Sequence, residues 1–210
     1  MKPVRLYVIA DAHPAFEPIE DFVALVIRAG AGMLQLREKG LEDGALLSVA
    51  RRCAAVCKRE GALFIVNDRV DIALASGADG VHVGQDDLPV DAVRDIAGPG
   101  FIIGLSTHTP EQVDRAQASD VDYIAVGPVH ETPTKPGRPA VGLDLVRYAA
   151  RHSTRPFFAI GGLDSTNIRT VLEAGAGGVS VLRCVSRAAR PGDAVKELLQ
   201  EFPASEVAKA

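Results

Sequence analysis

The stretch from Asn67 to Asp87, NDRVDIALASGADGVHVGQDD, decides the fold of this chain of 210 residues. It follows a short β-branched run, places Asp68 before a segment with helical spacing, and continues through the apolar run Val81–Val83 to Asp86–Asp87. This order of strand, acid, helix, strand and acid predicts one βαβ unit. Both acids would then follow the carboxyl ends of neighbouring parallel strands, so they are expected at the same edge of the sheet.

The rest of the chain repeats this unit. Strand-like runs recur at Arg5–Ala10, Met33–Arg37, Leu63–Asn67, Val81–Gly84, Phe101–Ser106, Tyr123–Gly127, Pro156–Gly161 and Gly178–Arg183. Helical spacing is found at Ile19–Ala29, Asp43–Arg59, Val70–Ser76, Val90–Ile96, Pro110–Ala118, Leu143–Arg151, Thr166–Ala174 and Pro191–Phe202. This strict alternation predicts a single-domain (β/α)8 TIM barrel over residues 1–210, with residues 204–210 as a frayed tail. An open, doubly wound sheet is the alternative.

Composition and charge argue against some classes of binding partner. The formal net charge is −4, with 47% hydrophobic and 24% charged residues, which is typical of a soluble globular protein. Nucleic acid or an anionic membrane would need a broad basic face, so neither is expected as a partner. The sequence begins without a long apolar segment, and three cysteines make no disulfide framework, so a cytoplasmic location is expected. Cys53 and Cys57 are interpreted as buried apolar residues rather than zinc ligands.

Polar side chains follow the predicted strands, and in a barrel they converge on one mouth. They are Gln35, Arg37 and Lys39 after the second strand, Asn67 and Asp68 after the third, Asp86 and Asp87 after the fourth, and Ser106 at the end of the fifth. Acids on adjacent strands beside cations predict Mg²⁺ with a diphosphate, because Mg²⁺ takes one or two carboxylates plus phosphate oxygens. The residues alone do not decide between Asp86 and Asp87, and either acid taken singly would be interpreted as a helix N-cap.

A second group of residues predicts a site for a single phosphate in the same mouth. Gly161–Gly162 follow the seventh predicted strand, Leu182–Arg183 end the eighth, and the irregular segment His130–Gly142 contains the sequence TPTK at Thr132–Lys135. Glycines let backbone N–H groups approach a phosphate, and the segment is interpreted as an active-site lid. The alternatives are a tight turn that needs positive φ and a solvated surface loop.

The histidines near the mouth are assigned no chemical step. His82 lies in a predicted strand and is interpreted as packed and hydrogen-bonded. His108 follows Ser106 in a turn, and His130 lies beside the lid; the sequence does not decide whether either contributes to binding.

Six ordered motifs resemble those of the thiamine-phosphate synthase family, also called thiamine-phosphate pyrophosphorylase. They cover nearly the whole chain from Leu6 to Arg183: QLREKG at Gln35, VNDRVDIA at Val66, GADGVHVGQDDLP at Gly77, GLSTHT at Gly104, GPVHETPTKPG at Gly127 and AIGGLD at Ala159. The resemblance implies a transferase of thiamine biosynthesis. Such an enzyme condenses 4-amino-2-methyl-5-pyrimidinylmethyl diphosphate with 4-methyl-5-(2-phosphoethyl)thiazole to give thiamine phosphate and diphosphate. The implied mechanism is dissociative, with capture of the pyrimidinylmethyl cation by the thiazole nitrogen.

Residues of this sequence that match the family's motifs are implied to have the same roles as in the family. The implied contacts of the pyrimidine diphosphate are Gln35, Arg37, Lys39, Asn67, Ser106 and Lys135, of which Arg37, Lys39, Ser106 and Lys135 are implied to be catalytic. One Mg²⁺ per subunit is implied, with Asp68 and Asp87 as its ligands. The implied contacts of the thiazole phosphate are Thr132, Pro133, Thr134, Gly162, Leu182 and Arg183. The implied partners are two phosphorylated small molecules, and a homo-oligomer stays open.

Three other interpretations fit parts of the pattern. The sister thiazole tautomerase is similar in places, but it has a histidine where this sequence has Pro128, and it lacks the acid pair. A regulatory phosphate-binding barrel would have lost the metal acids or Lys135, and both are present. A phosphosugar epimerase or a Schiff-base aldolase needs a catalytic acid or lysine within a strand, whereas Lys39 and Lys135 follow strands.

Overall fold

A computed structural model of the chain describes residues 4–14, 18–132, 137 and 139–203. Its strands are parallel, pair in chain order and close into a barrel in which the eighth strand pairs with the first. They are β1 Leu6–Ala10, β2 Met33–Leu36, β3 Leu63–Asn67, β4 Gly80–Val83, β5 Ile102–Thr107, β6 Tyr123–Val126, β7 Phe157–Ile160 and β8 Gly178–Val181. The predicted (β/α)8 barrel is confirmed, and the open-sheet alternative is wrong.

Helices alternate with the strands as predicted, with one addition after β8. Those in the described ranges are α1 Ile19–Arg28, α2 Asp43–Glu60, α3 Val70–Ser76, α4 Val90–Ala97, α5 Pro110–Gln117, α6 Gly142–His152, α7 Ile168–Glu173, α8 Arg183–Ser186 and α9 Pro191–Gln200. The prediction that the eighth strand continues through Arg183 is wrong. Leu182 has φ −124° and ψ −85°, which is neither strand nor helix, and the chain turns there into α8. Strand β5 runs one residue further than predicted, so Ser106 lies inside it.

Local signals in the sequence set several helix ends. Helices α2 and α3 end at Gly61 and Gly77, whose φ angles of 78° and 74° are left-handed and suit glycine. Thr109 precedes α5, and its side-chain oxygen accepts a hydrogen bond from the backbone N–H of Gln112 at 3.3 Å. Pro110 begins α5, where its missing N–H removes no helical hydrogen bond. Sharp ends of this kind keep the connections short and hold the strand ends at one edge.

Apolar residues form one cluster outside the barrel wall and a second inside it. The outer cluster joins strands to helices and includes Cys53 and Cys57, which confirms that both cysteines are buried. Burial raises the pKa of the Cys53 thiol to about 12. The inner cluster is formed by Tyr7, Met33, Ile65, Tyr123 and Phe158. Both faces of each strand are therefore covered, which explains the nearly continuous apolar runs in the sequence.

Some predictions concern residues that the structure does not describe, or a segment that it describes only in part. The tail 204–210 and the loop residues Pro133, Thr134 and Lys135 lie outside the described residues. The described parts of the segment between β6 and α6 contain neither helix nor strand, in agreement with the predicted irregular loop. Among the helices that the structure describes, none has the length and apolar character needed to cross a membrane.

Candidate active site

A cavity of about 740 Å³ opens at the carboxyl ends of the strands. Its wall contains the predicted site residues that fall within the described ranges: Gln35, Arg37, Lys39, Asn67, Asp68, Asp87, Ser106, Thr132, Gly162, Leu182 and Arg183. Asp86 lines the same cavity. The residues of both predicted anion sites therefore share one mouth, although they come from strands spread over the whole chain.

Asp68 is held in an uncommon backbone conformation just after β3. Its φ is 61°, a left-handed value that residues other than glycine seldom adopt. Its N–H donates to the carbonyl of His82 at 2.8 Å, and its carboxylate lies 3.6 Å from the Lys39 ammonium. Burial, and after it the adjacent carboxyl of Asp87, raises the pKa of Asp68 above its ordinary value, while Lys39 and Arg37 act to lower it. Two ionised carboxylates side by side repel each other, and a cation between them would relieve the repulsion.

Asp87 reaches the mouth on a tight turn after β4. Its carboxylate accepts a hydrogen bond from the backbone N–H of Gly84 at 2.7 Å. The next residue of that turn, Gln85, donates from its side chain to the carbonyl of Ser106 at 2.7 Å, which ties the turn to β5. The N-caps of α3 and α4 are Arg69 and Pro89, and neither helix has a side-chain cap. Neither Asp68 nor Asp87 is therefore an N-cap, and that alternative interpretation is wrong.

Glu38 shapes the loop that carries the two cations after β2. Its carboxylate accepts hydrogen bonds from the backbone N–H groups of Ala12 at 3.1 Å, Lys39 at 2.7 Å and Gly40 at 2.6 Å. With the loop fixed in this way, Arg37 and Lys39 both line the cavity. Sequence analysis missed this role, because the motif QLREKG shows only that an acid lies between two cations.

Gly161 and Gly162 form the turn after β7, with φ angles of 108° and 64°. A side chain on Gly162 would place its Cβ 2.7 Å from the Cβ of His130, so both conformation and space require glycine. The tight-turn interpretation is therefore confirmed. The same absence of side chains leaves the backbone of Gly162 open to the cavity, which is what close approach of a phosphate needs.

The floor of the cavity contains a hydroxyl that sequence analysis missed. Ser180 lies inside β8 and is 1% exposed, and its Oγ has no hydrogen-bond partner among the described residues. Apolar side chains of Ile9 and Ile160 line the cavity with it. A buried hydroxyl without a partner costs roughly 1–3 kcal/mol, so a polar atom of a bound molecule would be stabilising here. Its place in the run GVSV gave no signal, since serine is also tolerated in a packed strand.

Sequence analysis also missed a pair of charged residues that lies where β8 meets β1. The Arg187 guanidinium donates to the Asp11 carboxylate and to the carbonyl of His13, the latter at 2.6 Å. Arg187 also lines the cavity, so this pair closes the wall between β8 and β1. The two residues are 176 positions apart, and no local pattern connects them.

The three histidines near the mouth, His82, His108 and His130, occupy different environments. His82 is buried, and its Nδ1 and Nε2 lie 3.1 Å from the Tyr123 hydroxyl and 2.9 Å from the Ser106 hydroxyl, which confirms that it is packed and hydrogen-bonded. His108 donates from Nδ1 to the carbonyl of Gly127 at 2.5 Å and lines the cavity. The Nε2 atom of His130 is buried without a hydrogen-bond partner among the described residues.

Comparisons with known proteins find similar sequences and a similar structure. The family model described as thiamine monophosphate synthase matches residues 6–185. The thiamine-phosphate synthase of Acidothermus cellulolyticus is 48% identical over 203 residues, which cover 96% of this chain and 96% of that protein. The thiamine-phosphate synthase of Gloeobacter violaceus is 49% identical over 188 residues, which cover 90% of this chain but 54% of that protein, so this chain spans about half its length.

Among solved structures, the thiamine phosphate pyrophosphorylase from Pyrococcus furiosus superposes with a TM-score of 0.87. It is 32% identical in sequence, and the match covers 95% of each chain. The similarity therefore extends over the whole barrel rather than over one set of loops.

Proposed function

This chain belongs to the thiamine monophosphate synthase family, and we infer that it condenses 4-amino-2-methyl-5-pyrimidinylmethyl diphosphate with 4-methyl-5-(2-phosphoethyl)thiazole. It is a transferase of thiamine biosynthesis, and its products are thiamine phosphate and diphosphate. The observation that carries this function is that an acid pair, cations and a glycine turn line the same cavity. A reaction between a diphosphate and a monophosphate needs two anion sites side by side, and the groups that line this mouth support two such sites.

Asp68 and Asp87 are proposed to hold one Mg²⁺ per subunit. The fit rests on the contact between the two carboxyls and on the raised pKa of Asp68, which marks a site that favours added positive charge. Within the described ranges, no group of three or more His, Cys, Asp or Glu side chains is placed to hold a metal. Two carboxylates that leave the other positions to phosphate and water suit Mg²⁺. When bound, the ion supplies charge neutralisation at the diphosphate oxygens.

The pyrimidine diphosphate is proposed to lie against β2, β3 and β5. Its proposed contacts are Gln35, Arg37, Lys39, Asn67, Ser106 and Lys135. Support comes from the loop fixed by Glu38, which presents Arg37 and Lys39 to the cavity beside Asp68. Fixed cations near the leaving group lower the barrier because they are already oriented when negative charge develops.

The phosphate of the thiazole substrate is proposed to lie on the opposite wall. Its proposed contacts are Thr132, Pro133, Thr134, Gly162, Leu182 and Arg183. Support comes from the open backbone of Gly162 and from the turn at Leu182 that starts α8, both of which line the cavity. The first N–H groups of a helix have no partner inside it and are available to an anion.

The geometry fits a dissociative reaction. The bond between the pyrimidine methylene carbon and a diphosphate oxygen breaks, and its electron pair leaves with diphosphate. The thiazole nitrogen then donates its lone pair to the methylene carbon, and this forms the new C–N bond. No proton is transferred in that step, so the residues have to bind, orient and exclude water rather than act as a base. The cytoplasmic location stays a prediction.

The function is tested by mixing the purified chain with both substrates, in Mg²⁺ or in EDTA, and measuring thiamine phosphate. Metal-dependent product formation is the expected result. Absence of product while both substrates still bind would contradict the synthase function and favour the regulatory barrel. Isomerisation of the thiazole phosphate alone would favour the tautomerase.

Exchange of Lys135 for alanine is expected to lower kcat about tenfold with the pyrimidine diphosphate saturating. The physical reason is the loss of one positive charge beside the departing diphosphate, worth about 1.4 kcal/mol of barrier. Single-turnover rates measure the effect, and Lys58→Ala, at an exposed position in the last turn of α2, is the matched control. An unchanged rate at saturation would contradict the role of Lys135 in the chemical step.

A further inference from the structure

A chain of five hydrogen-bonded side chains crosses the inside of the barrel from one wall of the mouth to the other. We propose that this buried relay, Gln35–Tyr7–Tyr123–His82–Ser106, fixes the direction in which its two ends hydrogen-bond, so that Ser106 donates and Gln35 accepts at the edge of the aminopyrimidine. Tyr7, Tyr123 and His82 are then positioning residues. The assignment of the ligand rests on the proposed function, whereas the relay itself does not.

The relay is continuous and buried throughout. The Gln35 side-chain nitrogen lies 2.5 Å from the Tyr7 hydroxyl, which lies 3.0 Å from the Tyr123 hydroxyl. His82 continues the chain, 3.1 Å from Tyr123 through Nδ1 and 2.9 Å from Ser106 through Nε2. The most exposed member, Ser106, is only 7% accessible. Each link of the relay is a direct contact between side chains, so no water is needed to connect Gln35 to Ser106.

Packing holds the rings in this arrangement. Tyr7 and Tyr123 meet edge to face with centroids 5.9 Å apart, and both make similar contacts with Phe158. The imidazole of His82 stacks on Tyr123 at 5.6 Å. Burial raises the pKa of both tyrosines above the ordinary value, so both hydroxyls keep their protons. Each tyrosine therefore has one proton to donate, and the hydrogen-bond directions along the relay are coupled.

Counting protons along the relay gives its direction. A carboxamide nitrogen only donates, so Gln35 donates to Tyr7, and the single proton of Tyr7 then goes to Tyr123. Tyr123 in turn gives its proton to Nδ1 of His82, so a neutral imidazole carries its proton on Nε2 and donates to Ser106. The Ser106 hydroxyl proton is then left for the cavity, and so is the side-chain oxygen of Gln35.

This pair of one donor and one acceptor matches the hydrogen-bonding edge of one class of pyrimidine ring. Both end residues line the cavity, and together they offer a donor from Ser106 and an acceptor from Gln35. A 4-aminopyrimidine presents the complement, an amino group that donates beside a ring nitrogen that accepts. A 4-oxopyrimidine presents the reverse pattern and would leave buried polar groups unpaired, which is the basis of strong discrimination by hydrogen bonding. The relay would thus select the amino form.

The direction is tested first without substrates, by ¹⁵N NMR of the full chain labelled at histidine, with His82→Gln used to assign the signal. The expected result is a neutral His82 with its proton on Nε2, and an altered tautomer ratio in Tyr123→Phe. A proton on Nδ1 in the wild-type chain would overturn the proposal, because Ser106 would then donate inward. This result stands whether or not the chain makes thiamine phosphate.

The coupling to the substrate is tested by steady-state kinetics of Tyr123→Phe. The expected result is a rise of about tenfold in KM for the pyrimidine diphosphate, with KM for the thiazole phosphate unchanged. Tyr148→Phe is the matched control, since its hydroxyl bonds Asp114 on the surface at 2.8 Å. If Tyr123→Phe does not fold, Tyr7→Phe breaks the same relay. Equal changes in both KM values, or none, would overturn the coupling, whereas a wild-type chain without synthase activity would overturn the proposed function instead.

Discussion

Exchange of Asp87 for asparagine is expected to lower the rate of thiamine phosphate formation by roughly a hundred- to a thousandfold. The carboxylate is one of the two adjacent acids proposed to hold Mg²⁺, so its loss halves the negative charge at that site. Lewis-acid stabilisation by a metal is worth several kcal/mol, and each 1.4 kcal/mol or so is a factor of ten. Initial rates over a Mg²⁺ titration measure the loss.

Asp86→Asn is the matched control, because Asp86 is the adjacent acid on the same turn and also lines the cavity. It is expected to change the rate far less, since the carboxyl that contacts Asp68 is that of Asp87. A second measurement is independent of turnover. Mg²⁺ with diphosphate should raise the melting temperature of the wild-type chain, as a ligand bound only to the folded state does, and should raise that of Asp87→Asn much less. Near-normal activity of Asp87→Asn at limiting Mg²⁺ would contradict the metal site.

The barrel was predictable from the sequence because its units are regular. Each apolar run is short enough for a strand and each helical segment long enough to cover it, so alternation alone predicts the topology. The end of β8 was not predictable. The run GVSVL has no turn signal through Leu182, and only the backbone turn at that residue shows that the strand has already ended.

The polar residues at the rim of the site were also predictable from the sequence, whereas the residues inside the barrel were not. Polar residues such as Asp68 stand out at the ends of apolar runs, and the fold brings those ends together. Inside a strand that is buried on both faces, apolar periodicity does not tell an inward residue from an outward one. Tyr7 and Tyr123 therefore resembled ordinary core residues, although their hydroxyls meet inside the barrel. Contacts such as Arg187 with Asp11 depend on closure of the barrel, which no local pattern contains.

The inside of the barrel has room for these tyrosines only because a glycine faces them. Gly104 lies within β5, and a Cβ added there would sit 2.6 Å from Nδ1 of His82 and closer still to the ring of Tyr123. Both neighbours are buried and cannot move without breaking the relay. The sequence shows a glycine in a strand, which by itself only suggests a bulge or a close approach.

Exchange of Gly104 for alanine is consequently expected to lower the free energy of unfolding by about 3 kcal/mol, the upper part of the range for overpacking a buried site. Gly44→Ala is the matched control. Gly44 lies in the first turn of α2 with nothing within 4 Å of an added Cβ, so alanine should be neutral or stabilising by up to about 1 kcal/mol. Urea denaturation of both variants measures the difference. A Gly104→Ala chain as stable as Gly44→Ala would mean that the tyrosine pair has space to shift, and the barrel interior would then be too loosely packed to fix the direction of the relay.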